Sequence, residues 1–294
     1  MSVVQNPQPV TGKMSEQVSS VSTNPNTASD ANTSQSSSFG RIVAIARNAF
    51  REAVRDRVLY NLVLFVLLLI AAAIFLGELT AGQEARVIVN MGLSAMLLFG
   101  VFISIFVGVG LVYKEIERRT VYAIFAKPVG RGEFLVGKYL GLCLTLLVNV
   151  VVMGVGVSLA LLYVKGGHLI ISVWSATALI FFELSIITAV ALLFSSFSSP
   201  ALSALLTFFT FIIGHFSADL KIFADGLGSA GAQFFFTALY YILPNLANYE
   251  FITSAAHGLQ PSGSMVLASV VYMIVYVAIL LSIATLIFSR RNFK

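Results

Sequence analysis

Six runs of apolar residues, each near the length needed to cross a bilayer, constrain this chain more than any motif in it. A spanning helix needs about 20 mostly apolar residues at roughly 1.5 Å rise each. The runs are Leu59 to Leu76, Met91 to Tyr113, Tyr139 to Val164, Val173 to Phe197, Ala201 to Phe216 and Val266 to Phe288. The fifth is short and opens just after Pro200. Composition agrees: 58% of the 294 residues are hydrophobic and 11% charged, with a mean hydropathy of +0.92, far from the usage of a soluble domain. The sequence therefore predicts an all-α, polytopic membrane protein with six transmembrane helices.

The net charge of +5 would raise the question of nucleic acid in a soluble chain. In a membrane protein, Lys and Arg instead report orientation. With both chain ends on one side, that side holds 15 of the 18 Lys and Arg: Lys13, Arg41, Arg47, Arg51, Arg55, Arg57, Lys114, Arg118, Arg119, Lys127, Arg131, Lys138, Arg290, Arg291 and Lys294. The other side keeps Arg86, Lys165 and Lys221. The positive-inside rule then places both termini in the cytoplasm, and nucleic acid is not an expected partner. The single cysteine, Cys143, lies in an apolar run and offers neither a disulfide framework nor a thiolate metal site.

Residues 1–38 are rich in Ser, Thr, Asn, Gln and Pro and carry almost no large apolar side chains, so a disordered cytoplasmic tail is expected, without the apolar centre of a signal peptide. Residues 39–294 read as one transmembrane domain. It opens with an amphipathic helix, 39–58, whose Phe39, Ile42, Val43, Ala46, Ala49, Phe50, Ala53 and Val54 share one face. Arg41, Asn48, Arg51, Glu52, Arg55 and Asp56 fall on the other. The pattern fits a helix lying in the cytoplasmic interface with its basic residues near anionic headgroups, or one packed on a partner.

Between the second and third runs lies a charged block, 114–138, too long for a simple turn between helices. It contains Gly132-x4-Gly137-Lys138, close to the phosphate-cradling loop of an ATPase. Such a loop follows a β-strand, and its Lys precedes a Ser or Thr that reaches Mg²⁺. Here the glycines follow Pro128-Val129-Gly130-Arg131, and Lys138 is followed by Tyr139 at the start of an apolar run. The stretch is read as a chain break between a docking helix and the third span, with Lys138 at the membrane edge. His168, His215 and His257 are scattered, and no HExxH or GxSxG occurs, so neither catalytic nor metal-binding residues are assigned.

The block "KEIERRTVYAIFAKPVGRGEFLVGKYLG" resembles the cytoplasmic signature of ABC-2 type transporter permeases. In that family an acidic pair, a Thr, Pro-Val-x-Arg and Gly-Lys recur in this order. The likeness rests on Glu115, Glu117, Thr120, Pro128, Val129, Arg131, Gly137 and Lys138, with Arg119 where the family often has Gly. It extends to "ARNAFREAVRDRVLYN", "SSFSSPALSALLTFF" and "LYYILPNLANYE". The resemblance implies a permease subunit of a bacterial-type cytoplasmic membrane, without its own ATPase, that exports substrate by alternating access. It further implies two copies of a separate ABC ATP-binding subunit holding ATP and Mg²⁺, and a second permease copy, identical or related. Segment 114–138, with Glu115, Glu117, Arg118, Arg119, Thr120, Pro128, Arg131 and Lys138, would couple the two.

Glu183 sits mid-run in "ALIFFELSIITAV", where a carboxylate costs roughly 2.5–3.5 kcal/mol on insertion scales, so it must face the bundle, a partner or water. It is either a substrate or proton contact, or an interhelical hydrogen bond. Asn149 reads as interhelical glue. Gly100, Ser104 and Gly108 form one stripe of small residues and Gly137 with Gly141 begin another, suited to internal packing or to a dimer. In the external segment 217–264, an aromatic stretch ending at Pro244 is too short to span and fits a re-entrant or interfacial helix before the last span. Phe234, Phe235, Phe236, Tyr240 and Tyr241 are candidates for an outer gate, or simple interfacial anchors. Short of the resemblance, a membrane anchor or assembly factor recruiting a cytoplasmic partner, and an ion-coupled carrier working through Glu183, stay open.

Overall fold

The computed structural model describes residues 38–53, 64–65, 68–69, 71, 75, 82–117, 130–217, 222 and 230–290. All of them fall in one unit, Ser37–Lys294. The expected tail before residue 38, most of the first apolar run and residues 118–129 lie outside the described residues. Among the described residues the architecture is wholly helical, without strands.

Among the described residues, eight α-helices with defined bounds follow in order: α1 (Ser38–Ala53), α2 (Glu84–Glu117), α3 (Arg131–Tyr163), α4 (Ile170–Ser195), α5 (Pro200–His215), α6 (Ala230–Ile242), α7 (Ile252–Ala256) and α8 (Gly263–Arg290). Four are long and apolar enough to cross a membrane, through Glu84–Gly110, Gly132–Tyr163, Gly167–Ser195 and Gly263–Ile287. This is a multi-pass membrane protein. The fifth expected span is α5, whose 16 residues reach roughly 24 Å, short of a hydrocarbon core of about 30 Å. Of the first expected span, residues 64–65, 68–69, 71 and 75 are described as helical, and Phe65 and Leu69 are buried in the core.

The second and third spans run past the limits of their apolar runs. α2 begins at Glu84 and α3 at Arg131, because polar residues at a helix end continue the backbone ladder wherever nothing interrupts it. The expectation that the glycines around 132–137 break the chain is therefore corrected. Gly130 is the N-cap, its N–H donating to Glu133 Oε2 at 3.2 Å, and Gly132, Gly137 and Lys138 lie inside α3.

α4 is apolar on all sides and is the central helix, with α2, α3, α5 and α8 packed around it. Both stripes of small residues are used within the chain. A Cβ at Gly100 would overlap the Leu184 side chain, and one at Gly108 would stand 3.2 Å from Ala191 Cβ, so the α2 stripe seats α4. Hydroxyls in the core mostly satisfy themselves within their own helices. Ser104 donates to Gly100 O, Thr145 to Gly141 O and Thr188 to Leu184 O, at 2.8, 3.0 and 2.8 Å. Asn149 does likewise: its Nδ2 donates to Thr145 O at 2.8 Å on α3 itself, so it is not the interhelical link expected of it.

Candidate functional site

Among the described residues, three of the places that bring polar or aromatic side chains together begin with a local feature of the sequence. The first is where α1 lies on the opening turns of α3. α1 carries alanines and β-branched residues on one side, and α3 meets them with glycines. A Cβ at Gly137 would stand 2.8 Å from Ile45 Cβ, and one at Gly141 would stand 2.5 Å from Ala46 O and 2.6 Å from Ala49 Cβ. Only glycine lets two helix backbones approach this closely. Ala49 and Ala53 are fully buried as a result.

Two ion pairs of opposite polarity flank this contact. Arg41 on α1 holds Glu133 on α3 with both arms, Nε to Oε2 and Nη2 to Oε1, each at 2.9 Å. That carboxylate raises the Arg41 guanidinium further above its ordinary value. Lys138 on α3 reaches back to Glu52 Oε2 on α1 at 3.4 Å and lies 5.9 Å from the Phe134 ring centroid. Lys138 is 1% exposed. Expected at the membrane edge among the coupling residues, it is buried where α3 meets α1.

The remaining coupling candidates are placed only in part. Glu115 and Glu117 lie in the last turn of α2, and Arg131 is the first residue of α3. Arg118, Arg119, Thr120 and Pro128 lie outside the described residues. The segment 118–130 thus joins the ends of two span-length helices that pack on each other and on α4.

The second place is midway along α4. Glu183 on α4 is 1% exposed, and its Oε1 stands 3.3 Å from Nδ1 of His215, the last residue of α5. The contact has ion-pair distance without hydrogen-bond alignment, so both atoms stay available to a further polar group. The His215 ring also lies against Phe211, with centroids 5.1 Å apart. Sequence reasoning singled out Glu183 and left His215 among scattered histidines.

The third place caps α5. A Cβ at Gly214 would stand 2.7 Å from Pro244 O, which brings the segment after α6 down onto the end of α5. Ser217 Oγ donates to Asn245 Oδ1 at 2.6 Å, and Asn245 N donates to Tyr272 Oη at 2.9 Å. Tyr276 Oη donates to Ile242 O at 2.9 Å, and Tyr249 Oη to Ser269 O at 2.8 Å. Burial pushes the Tyr249 phenol well above its ordinary range, which keeps it a donor. α6 itself presents aromatic residues outward: Phe234, Phe235 and Tyr241 are exposed, and Phe236 and Tyr240 are half-buried. Phe235 and Phe236 meet edge to face, as do Tyr240 and Tyr241. These are the candidates for an outer gate or for interfacial anchors, and they lie on a short helix before the last span.

Among the described residues, no group of three or more His, Cys, Asp or Glu side chains is arranged to hold a metal ion. The near-phosphate loop is helical from Arg131 on, so its backbone N–H groups point along α3 and cannot encircle a phosphate. Compared with known families, residues 43–293 match the model described as ABC-2 family transporter protein. No curated protein matches the chain.

Proposed function

The chain belongs to the ABC-2 transporter family, and on that premise we propose that it is the permease subunit of an exporter driven by two copies of a separate ATP-binding subunit. Membership makes it the membrane component of an ABC transporter and implies an ATP-binding partner. The match from residue 43 to 293 carries the reading, because it takes in most of α1, the four span-length helices among the described residues and the cap over α5. The helical state of Gly132 to Lys138 supports assigning the nucleotide to another chain.

The permease works in the cytoplasmic membrane with both termini inside, beside a second copy of itself or a related chain. ATP and Mg²⁺ bind in the partner, whose closure presses on residues 114–138. A push there acts on the ends of α2 and α3 together. α3 carries α1 with it through Gly137, Gly141 and the two ion pairs, and both long helices lean on α4. Glu183 and His215 then lie where α4 meets α5, beneath the cap, and serve as the polar contact on the path. Phe234, Phe235, Phe236, Tyr240 and Tyr241 form its outer gate.

Changing Glu115 and Glu117 together to Ala tests this coupling. The expected result is an assembled complex that has lost substrate-stimulated ATP hydrolysis. Loss of the ATP-binding chain itself, with no stimulated activity in the unaltered complex either, would mean that the protein is only an anchor.

A further inference from the structure

α3 and α8 meet at the end where α3 begins. A Cβ at Gly132 would stand 3.4 Å from Thr285 Cγ2, so the two helices come close there. Further along the same side of α3 stand the branched residues Val136 and Leu140, and there the helices leave a groove of about 750 Å³ between them. On α8 the groove runs from Leu286 back to Met273, a rise of roughly 20 Å. Tyr139, Val277 and Leu281 are buried and form its floor, while Leu140, Ile274 and Leu286 are exposed along its rim.

Polarity, length and width together decide what can fill it. The hydroxyl protons along the groove are already spent: Tyr139 donates to Ser185 O at 3.4 Å, and Ser282 and Thr285 donate to Ala278 O and Leu281 O, each at 2.7 Å. A wholly apolar occupant therefore leaves no donor unpaired. Roughly 20 Å inward from a helix end is little more than one leaflet's share of a hydrocarbon core about 30 Å thick. A helix of that length and about 10 Å across takes up roughly 1,600 Å³, about twice the groove, so a span of another chain can rest on the rim but not lie within. Arg131 opens α3 and Arg290 closes α8, which puts two cationic residues at the end where the groove starts and where a lipid phosphate belongs.

We propose that the groove between α3 and α8 is a binding site for one acyl chain of a phospholipid from the leaflet at the Arg131 end of α3. The chain lies along Tyr139, Val277 and Leu281, with its headgroup phosphate at the level of Arg131 and Arg290. No hydrophobic force selects it, because the surrounding lipid is as apolar as the groove. Selection comes from packing, since walls at protein density hold more atoms against the chain than fluid hydrocarbon does. The inference rests on the chain's being a membrane protein and not on transport, so its failure leaves the permease reading untouched.

The full-length protein is reconstituted into phosphatidylcholine vesicles that contain a small share of the same lipid with a diazirine midway along one acyl chain. After irradiation, labelled residues are located by peptide mass spectrometry. Ile279 and Ile283 serve as the reference, because they are exposed on α8 at the same depth but outside the groove. The expected result is an excess of about fivefold at Ile274, Ala278 and Ser282 over these two, the equivalent of roughly 1 kcal/mol. Ala278→Phe fills the groove and should bring Ile274 and Ser282 down to the reference level, whereas Ile279→Phe should leave the excess in place. The methyl ester of the same diazirine acid, which carries no phosphate, should show little of it. Equal labelling of groove and reference residues in the unaltered protein would overturn the proposal, because fluid lipid alone gives that pattern. So would a groove that stays unlabelled, an excess that survives Ala278→Phe, or a methyl ester that labels the groove as well as the phospholipid does.

Discussion

Gly141→Ala should loosen α1 from α3 although it adds one methyl group. Its Cβ would stand 2.5 Å from Ala46 O, 2.6 Å from Ala49 Cβ and 3.2 Å from Phe50 N. Non-bonded carbons prefer roughly 3.5–4.0 Å, so about 1 Å must be recovered. Two of the three obstructing atoms are backbone, which no rotamer change can move. The whole of α1 must shift, stretching both ion pairs that hold it. Overpacking of this kind costs about 1–3 kcal/mol, while alanine's better helix propensity returns up to about 1. Gly156→Ala on the same helix removes that second effect, because its Cβ would meet only Leu69 Cδ1 at 3.9 Å. The difference between the two variants isolates the clash. Thermal unfolding in detergent can be followed with a thiol-reactive dye on Cys143, the only cysteine. At about 2–4 °C per kcal/mol, Gly141→Ala should melt roughly 2–12 °C below Gly156→Ala. Midpoints that coincide would refute the close approach of α1 to α3.

Charge reversal tests the flanking pairs: Arg41→Glu and Glu133→Arg should each weaken the α1–α3 contact, and the double reversal should restore it, read by the same dye. His215→Leu leaves Glu183 buried without its partner and should cost about 3–5 kcal/mol. Adding Glu183→Leu should recover most of that loss, whereas simple additivity would show that the two side chains do not interact. Tyr276→Phe removes the donor to Ile242 O and should cost only about 0.5–1.5 kcal/mol, while raising proteolytic access to the end of α6.

The helices were legible because an apolar run of membrane length has few alternatives to a helix. Their ends were not, since α2 begins at Glu84 and α3 at Arg131, ahead of their apolar runs. The glycines show the same limit from the other side. Gly137 carried both readings, chain breaker and packing residue, and only the position of α1 against it and Gly141 decides for packing. The amphipathic face of α1 was read as one apolar surface. In the structure, half of it lies on α3, joined by Ile45, and Phe39 and Val43 are left outside. The Glu183–His215 pair was half seen. Glu183 lies twelve residues before the end of α4 and His215 fifteen after the start of α5, roughly 18 and 22 Å from the shared turn. Counting from that turn would have paired them, where scanning for sequence motifs could not.

The most direct test of the permease reading is ATP hydrolysis by the tagged protein isolated from its native membranes in mild detergent, beside the same preparation with residues 118–130 replaced by a flexible linker of equal length. The account predicts an ATP-binding chain bound to the unaltered protein, with hydrolysis that responds to substrate, and loss of that response on replacement. A protein that carries no ATP-binding chain and no ATPase activity under any condition would contradict it.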